Sequence, residues 1–543
     1  MSRVRIEYSD IAVGAKENFQ PYSDDESIFS DINQIKEDIN FANYGNPAEM
    51  FSVILDGGVA PFPSVKTGEE AFGFISEDVA DENGYLNTVI VLKSQDGESF
   101  SSSGITLKFD TDKGIYPEHI LVEWRSEGVG DSVFFYPDDA IYFCEHTVEN
   151  FDEVIIHFLK MNVPHTRLKL TGIEFGSLIV FKDELRHVEA SQKINEISAE
   201  LPISTCDFVV DIERGSLKKF VEGTPLNLIW GNELKMKAFV SSAKKQGKTR
   251  WSVKTEDAIG RMDKVTYFGG MYSEEKASVI IKDIFATANM ECNISSQLDD
   301  VLLSGHLPIG TCRSTLQQVL FASCAVVRTE NVENAKISQL TDYIYHEIPL
   351  SRQKPQQTID EVSPVTDIEI VEHEFALGDE VVKAYESEDG DIGTDIFIKF
   401  SEPLHNLVIS GNGEIRESNP NYAVVHAYEK GVVLSGNKYL HVKKTKRINL
   451  DDTHKKRENV VKIENATLVS ASNIDKVSNM CYNHYIKNKK ISANIIEGRY
   501  DSSTGVGECI NIQTEYDGIF NGRICEQKYH LNGNILVKKT VII

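Results

Sequence analysis

The sequence predicts an α+β chain that is mostly β: an N-terminal β-sandwich, two β-barrels with a helical region between them, and a C-terminal helix followed by an antiparallel meander. Three observations predict it. Short runs alternate apolar and polar residues between Gly, Asn and Asp turns, as half-buried strands do. One stretch, Tyr267 to Thr329, instead repeats apolar residues at helical spacing. Near the C-terminus, Asn532-Gly533 separates two strand-like runs, and this pair favours type I′ hairpin turns because both central residues take positive φ. At 543 residues the chain is too long for one core, and length implies roughly three to four domains.

Residues 1–50 are acidic and weakly patterned, and read as an N-terminal arm, extended or with a short helix around Ile35-Lys36-Glu37-Asp38. Residues 51–177 read as a β-sandwich. Ile105, Leu107 and Phe109 alternate, as do Ile120, Val122 and Trp124, and Val154-Ile155-Ile156 and Leu168-Lys169-Leu170 supply further strands. Residues 178–262 continue the β pattern through Phe208, Val210 and Ile212, then Leu226 to Trp230 and Met236 to Ser241, as a first small antiparallel barrel. Residues 263–347 form the helical region. Ser273 is the expected N-cap of a first helix, with Glu274 and Glu275 in its first turn, where the helix dipole favours anions. Ala277, Ile280, Ile281, Ile284, Phe285 and Ala288 make its buried stripe. A second helix opens after Gly310-Thr311, with Leu316, Val319 and Leu320 on one face, and Gly305-His306-Leu307-Pro308 reads as a turn between the two. Residues 348–364 carry three prolines and no apolar period, which predicts a linker. Residues 365–462 return to strands as a second barrel, with Tyr385 to Asp395 as an exposed acidic loop. Residues 463–543 close the chain with a helix, from Asn473 through Ile474, Val477, Cys481 and Tyr485, and a meander.

Charge bounds the partners. With 83 acidic and 56 basic residues the net charge is −27, which repels phosphate backbones and argues against nucleic-acid binding. The basic runs Lys443 to Arg447 and His454 to Arg457 read as solvated loop charges rather than a docking patch. The eight cysteines form no Cys-x-x-Cys pair, so neither a zinc knuckle nor a redox motif is expected, and reduced buried thiols fit a reducing compartment. The start MSRVRIEYSD lacks a signal peptide's apolar run, and no membrane segment of about 18 apolar residues occurs.

The sequence offers no catalytic, cofactor-binding or metal-binding residues. Gln246-Gly247-Lys248-Thr249 resembles the end of a phosphate loop, but Ser242 stands where the first glycine is needed and a strand pattern follows. Asp110-x-Asp112-x-Gly114 begins like a calcium loop without the later ligands, and Asp389-Gly390-Asp391 is weaker, so turn chemistry explains both. Neither His-Glu-x-x-His nor Gly-x-Ser-x-Gly occurs. His119, His157 and His426 fall in strands as packed or surface side chains, and His306 is expected to shape a turn. Among 83 acids, carboxylate pairs arise by chance and carry no enzymatic signal.

Wording adds to this pattern. An aromatic followed by Gly269-Gly270, Met271-Tyr272, a helix, Gly305-His306-Leu307-Pro308 and Arg313-x-x-Leu316-Gln317-Gln318 resembles the central region of phage tail baseplate hub proteins, the late-control-D-like hubs of contractile tails and tail-like bacteriocins. The end, through YHLNGNILVKK, is similar to the close of those hubs, and the resemblance covers about residues 100–543. The block 51–177, closing on Arg167 to Ile173, resembles a galactose-binding or discoidin-type jelly roll. The resemblance implies tube-like barrels and a homotrimer that adapts a six-fold tail tube protein to a three-fold spike protein, beside other baseplate proteins. It also implies a virion or tail-like particle, assembled in the bacterial cytoplasm and released by lysis, and no reaction. Hubs sometimes carry a fused peptidoglycan hydrolase, and no room for one is expected after the final hairpin. An alternative from another class is a tail-tip adhesin whose sandwich binds cell-wall carbohydrate, which requires exposed aromatic platforms.

Overall fold

A computed structural model describes residues 4–12, 14–27, 30–36, 73–95, 97–110, 113–126, 129–182, 184–212, 220–230, 233–330, 334–355, 357–450, 458–487, 489–496, 504–515, 518–532 and 534–543. The chain divides into two compact units, Glu7–Val180 and Met1–Ile6 with Phe181–Ile543. Strands dominate both, so the molecule is α+β and mostly β.

In Glu7–Val180 a five-stranded sheet runs in the order Phe19–Tyr22, Tyr85–Ser94, Glu153–Met161, Pro117–Ser126, Val129–Phe135. A three-stranded sheet, Gly172–Glu174, Phe100–Lys108 and Ile141–Phe151, contributes to the same core. Alternation decides which side chains meet. Ile90, Leu92, Val122, Trp124, Ile156 and Phe158 point inward from the first sheet, and Ile105, Leu107 and Cys144 from the second. Burying each large side chain contributes about 1.5–3 kcal/mol. The expected arm is partly built into this unit: Phe19 pairs with Ser94 and stacks on Phe175 at 4.6 Å, while Ile32 and Ile35 of a 3-10 turn, Ile32–Lys36, enter the core. Sequence could not show this, because the pairing joins residues some 75 positions apart (94 − 19). The expectations for 37–72 lie outside the described residues.

The second unit is organised by one large sheet. Its order includes Pro225–Trp230, Glu233–Gln246, Arg250–Glu256, Thr205–Asp211, Leu185–Lys193, Gly518–Asn532, Asn534–Ile542, Lys489–Ile496 and Thr358–Glu361. The strands of 178–262 and the C-terminal meander are therefore neighbours in a single sheet. The stretch read as a linker is fastened to it: Thr358–Glu361 pairs with Lys489–Ile496, and the buried Gln353 amide donates to Ile348 O at 3.0 Å and Gln513 O at 2.9 Å. Its prolines stand outside the paired residues, as an edge strand requires. Asn532 ends one strand and Asn534 begins its antiparallel partner, with Leu531 paired to Ile535. The turn type rests on Gly533, which lies outside the described residues.

Residues 365–450 and 458–463 form two small sheets; Ile398, Phe400, Leu404, Ala423, Val425 and Leu434 make one core, while Ile368 and Ile370 join a second with Val469, Val477 and Cys481. One sheet contains Leu404–Ser410, Val433–Asn449, Asp367–Glu386 and Val460–Ile463; the other contains Asp395–Lys399, Tyr422–Ala427 and Gly413–Asn419. The basic run Lys443 to Arg447 is strand rather than loop. Its charges meet the facing strand: Lys444 reaches Glu374 at 3.1 Å and Arg447 reaches Asp367 at 3.0 Å. Cross-strand pairing of opposite charges explains why so basic a segment tolerates β structure. The expected His454 to Arg457 run lies outside the described residues.

Two helices, Ala277–Thr287 and Cys312–Ser323, pack together over Ile280, Ile281, Ile284, Leu316, Val319 and Leu320. Their stripes are those the periodicity predicts. The first helix begins later than predicted, because Ser273, Glu274 and Glu275 belong to a strand, Gly270–Lys276, paired with Leu302–Leu307. Strand pairing overrides the cap signal, with a bulge at which Glu274 takes φ 54°. Residues 305–307 are likewise strand, not turn. The second helix starts as expected: Thr311 Oγ1 accepts from Ser314 N at 3.1 Å.

Gly305 has φ +141°, and a Cβ there would collide with the Thr467 carbonyl. Gly305→Ala is therefore expected to cost about 1–3 kcal/mol, seen as a lower chemical-denaturation midpoint; an unchanged midpoint would contradict the close packing.

Candidate functional site

The most developed polar chemistry lies at two junctions inside the Phe181–Ile543 unit. The first joins the helical pair to the module of 365–463. Asn421, buried just before the strand Tyr422–Ala427, donates through Nδ2 to Phe268 O and Leu307 O, both at 2.8 Å. Its Oδ1 lies 2.6 Å from His306 Nε2. Every polar atom of the amide is thus engaged, which specifies one docking geometry. His306 sits on a strand and bridges two modules, where the sequence reading placed it at a turn. Beyond it, the Phe375 ring stacks on His441 at 4.1 Å, and His373 Nδ1 lies 2.9 Å from His441 Nε2. Burial lowers the affinity of all three imidazoles for a proton, and the neighbouring His441 adds to this at His373.

The second junction ties the Leu185–Lys193 strand's exit, the C-terminal helix and the strand Gly518–Asn532. Arg523 and Glu196 have side chains only 4% and 5% exposed, with Nε 3.5 Å from Oε1. Arg523 also donates to Gly507 O at 2.6 Å, Thr341 O at 3.0 Å and Asp342 Oδ1 at 2.6 Å. Glu196 further receives His484 Nδ1 at 3.0 Å and Lys487 Nζ at 3.1 Å. Burial pushes the Glu196 carboxyl up, but His484 and Lys487 outweigh it and hold its pKa below the usual range. Two further carboxyls are buried. Asp257 caps Ala258–Arg261, accepting from Gly260 N at 3.1 Å, Ser204 N at 3.1 Å and Thr329 Oγ1 at 2.8 Å. Glu330 is pushed up to about 7 by burial, with Arg328 Nε 4.0 Å away.

None of this assembles a reaction centre among the described residues. Asp257 is consumed by capping and Glu196 by cations. A cleft of about 630 Å³ opens beside Glu508, Arg328 and Lys336, but Ser, Asn and Gln side chains make up much of its wall and Glu508 is its single carboxylate. Among the described residues no group of His, Cys, Asp or Glu is placed to hold a metal, and no helix is long and apolar enough to cross a membrane.

The residues singled out by sequence are scattered. Gly247 to Thr249 is a hairpin turn between two strands, with no phosphate cradle. Asp110 is buried against Lys169 Nζ at 3.2 Å, so a lysine already fills the cation's place; Asp112 lies outside the described residues. Asp391 accepts from Glu388 N at 2.8 Å and Tyr385 OH at 2.7 Å, the turn role expected. His426 pairs with Asp395 at 2.6 Å, His157 with Glu123 at 3.3 Å, and His119 stacks on Tyr136. All eight cysteines are free thiols; burial raises those of Cys292, Cys324 and Cys525 to about 11 and that of Cys481 to about 12. Sequence reading missed Asn421, Glu196, Arg523 and Glu330. Only Arg523, set between Gly522 and Ile524, carried a local signal; Glu196, Glu330 and Asn421 have polar neighbours or no charge and gave none.

No protein-family model matches the chain, and no curated protein matches it. Solved structures do. The fold is similar to a tail protein from Neisseria meningitidis, at 8% identity over 68% of this chain and 94% of that one, TM-score 0.44. A prophage 43 kDa tail protein from Shewanella oneidensis matches at 8% identity over 67% and 95%, TM-score 0.43. A component of the Escherichia coli type VI secretion system, described as structurally similar to two T4 tail proteins, matches at 7% identity over 66% and 73%, TM-score 0.33.

Arg523→Met leaves Glu196 buried with one cation fewer and is expected to cost about 3–5 kcal/mol in denaturant unfolding; a loss under about 1 kcal/mol would contradict the cluster's role. Glu330 carries the opposite sign. Its folded pKa lies above the unfolded value near 4.5, so its stabilising contribution is present below that value and is lost as pH rises towards 7. Glu330→Gln is expected to raise the thermal midpoint relative to wild type at pH 8 and not at pH 4. Equal differences at both pH values would rule out the burial effect.

Proposed function

We propose that the chain is a structural baseplate hub of a phage tail or phage-tail-like particle, a homotrimeric adaptor between a six-fold tail tube and a three-fold spike. The observation that carries the proposal is the Asn421 clamp. It fixes the module of 365–463 against the helical pair, which lies in 267–329, one of the two stretches (with 463–538) whose wording is most hub-like. One copy offers two β modules, the large sheet and the smaller two-sheet module. Three copies closed by heterologous contacts offer six, so one ring matches six-fold symmetry on one side and three-fold on the other.

In this role the protein performs no reaction and works through shape. The net charge of −27 keeps free copies soluble and apart until assembly presents the right partner. Tail tube, spike and other baseplate proteins are the proposed partners, within the particle. The alternative is a tail-tip adhesin that binds host cell-wall carbohydrate through its N-terminal sandwich, the rest of the chain being scaffold.

Native mass measurement on the purified chain and on the released particle tests the proposal. A mass of three chains in solution, or a particle stoichiometry divisible by three, is expected. A chain that stays monomeric within the assembled particle overturns it.

A further inference from the structure

The cleft of about 630 Å³ in the Phe181–Ile543 unit has a cationic floor. That floor is one face of a three-stranded sheet in the order Cys292–Ile294, Ala335–Ser338, Val326–Arg328. Alternation sends Val327 and Ile337 into the core of the helical pair, so their neighbours Arg328 and Lys336 turn the other way, towards the cleft they line. Register sets Lys336 between Asn293 and Arg328. Two cations therefore stand opposite each other across the strands, with Cβ atoms about 4.5–5.5 Å apart, and like charges so placed are destabilising unless something offsets them.

The protein offsets them only in part. Lys336 is exposed, and among the described residues no carboxylate stands within ion-pair distance of it. The Arg328 side chain makes no hydrogen bond among the described residues, and its carboxylate neighbour, Glu330, stays 4.0 Å from Nε. Burial pushes Glu330 up to about 7, so at neutral pH it is only partly ionised. Arg328 Nε is itself buried, which leaves the Nη end of the fork for the cleft. The stem of this arginine is held from behind. Gly507, at φ +85°, lies so close that a Cβ there would come within 3.4 Å of Arg328 Cδ.

We infer that the cleft docks a short acidic peptide segment, whose carboxylate sits between Arg328 and Lys336. A planar guanidinium matches a planar carboxylate, and the ammonium beside it adds a point charge. The wall supplies what the rest of a peptide needs. Asn293, Gln297 and Gln339 carry side-chain amides, which donate and accept as peptide N–H and C=O groups do. A free carboxylate gains the charge contacts alone, whereas a peptide adds hydrogen bonds to these amides. Glu508, the single carboxylate of the wall, repels further negative charge, so one acidic side chain suits the cleft better than a phosphate dianion or a run of acids. Size agrees: ligand clefts span about 300–1,000 Å³, and extended chain advances only about 3.3 Å per residue. The site does not depend on the hub reading.

Fluorescence-anisotropy titration of the full-length protein with labelled, end-capped tetrapeptides tests the inference. Each probe carries one Glu or Asp among Ser, Gly and Asn residues, and each has a match in which Gln or Asn replaces the acid. Wild type is expected to bind at least one acidic probe about tenfold or more tightly than its match, as a charge-assisted hydrogen bond allows. Lys336→Glu is expected to weaken that binding by about tenfold or more, and Lys336→Arg to retain it. Lys248→Glu, the same change of charge at an exposed turn elsewhere in the unit, is expected to change nothing. Unchanged thermal midpoints in these surface variants separate lost binding from lost folding. Failure of wild type to bind any acidic probe, equal binding of the matched probes, or undiminished binding by Lys336→Glu overturns the inference. Free succinate that competes as tightly as the best peptide overturns it too, by assigning the cleft to small carboxylates.

Discussion

The Phe181–Ile543 unit depends on how one strand spends its hydrogen bonds. Gly518–Asn532 pairs with Asn534–Ile542 along one edge and divides its other edge between two partners. Residues 518–523 pair with Cys509–Thr514, and residues 526–530 pair with Leu185–Lys193. Where the partners change, backbone groups would be stranded in a buried place, which protein interiors do not tolerate. Backbone bonds from Ile194 N to Cys525 O at 3.0 Å and from Gly507 N to Ile524 O at 2.8 Å close the gap. Arg523 stands at the changeover, and its planar fork of donors reaches two carbonyls and two carboxylates at once. Lysine, with a single ammonium, has no such reach.

This strand also explains what sequence could and could not show. Alternation in Phe208-Val209-Val210 or Ile120 to Trp124 reports which face is buried, because that depends on nearest neighbours along the chain. The stripes of the two central helices were legible for the same reason. Pairing of Glu189 with His530 was not, since nothing in either segment names a partner some 340 residues away (530 − 189). The same blindness merged two expected units into one sheet and turned a proline-bearing stretch into an edge strand. It also moved the start of the first central helix, where the pairing of Gly270–Lys276 outbid a good cap at Ser273. Candidate ligands failed for a simpler reason. Asp110 and Asp391 carried the right chemistry in isolation, but local partners already occupied them.

Much of the buried polar structure in this chain is costly to build. The clamp at Asn421 and the ion cluster at Glu196 both bury polar groups with full sets of partners, and neither is needed merely to collapse a core. Breaking such a network leaves a buried polar group or charge unpaired, so each holds the elements it joins in one arrangement. That is the property a symmetry adaptor requires, because a ring closes only if every copy holds its modules at the same angle.

The most direct test of the proposed adaptor role is an image reconstruction of tail particles assembled with this protein present. Three copies around the axis are expected, with the large sheet and the 365–463 module alternating in a six-membered ring beneath the tube. A reconstruction in which the protein lies off the axis, or in which one type of module alone contacts the tube, would contradict the adaptor role.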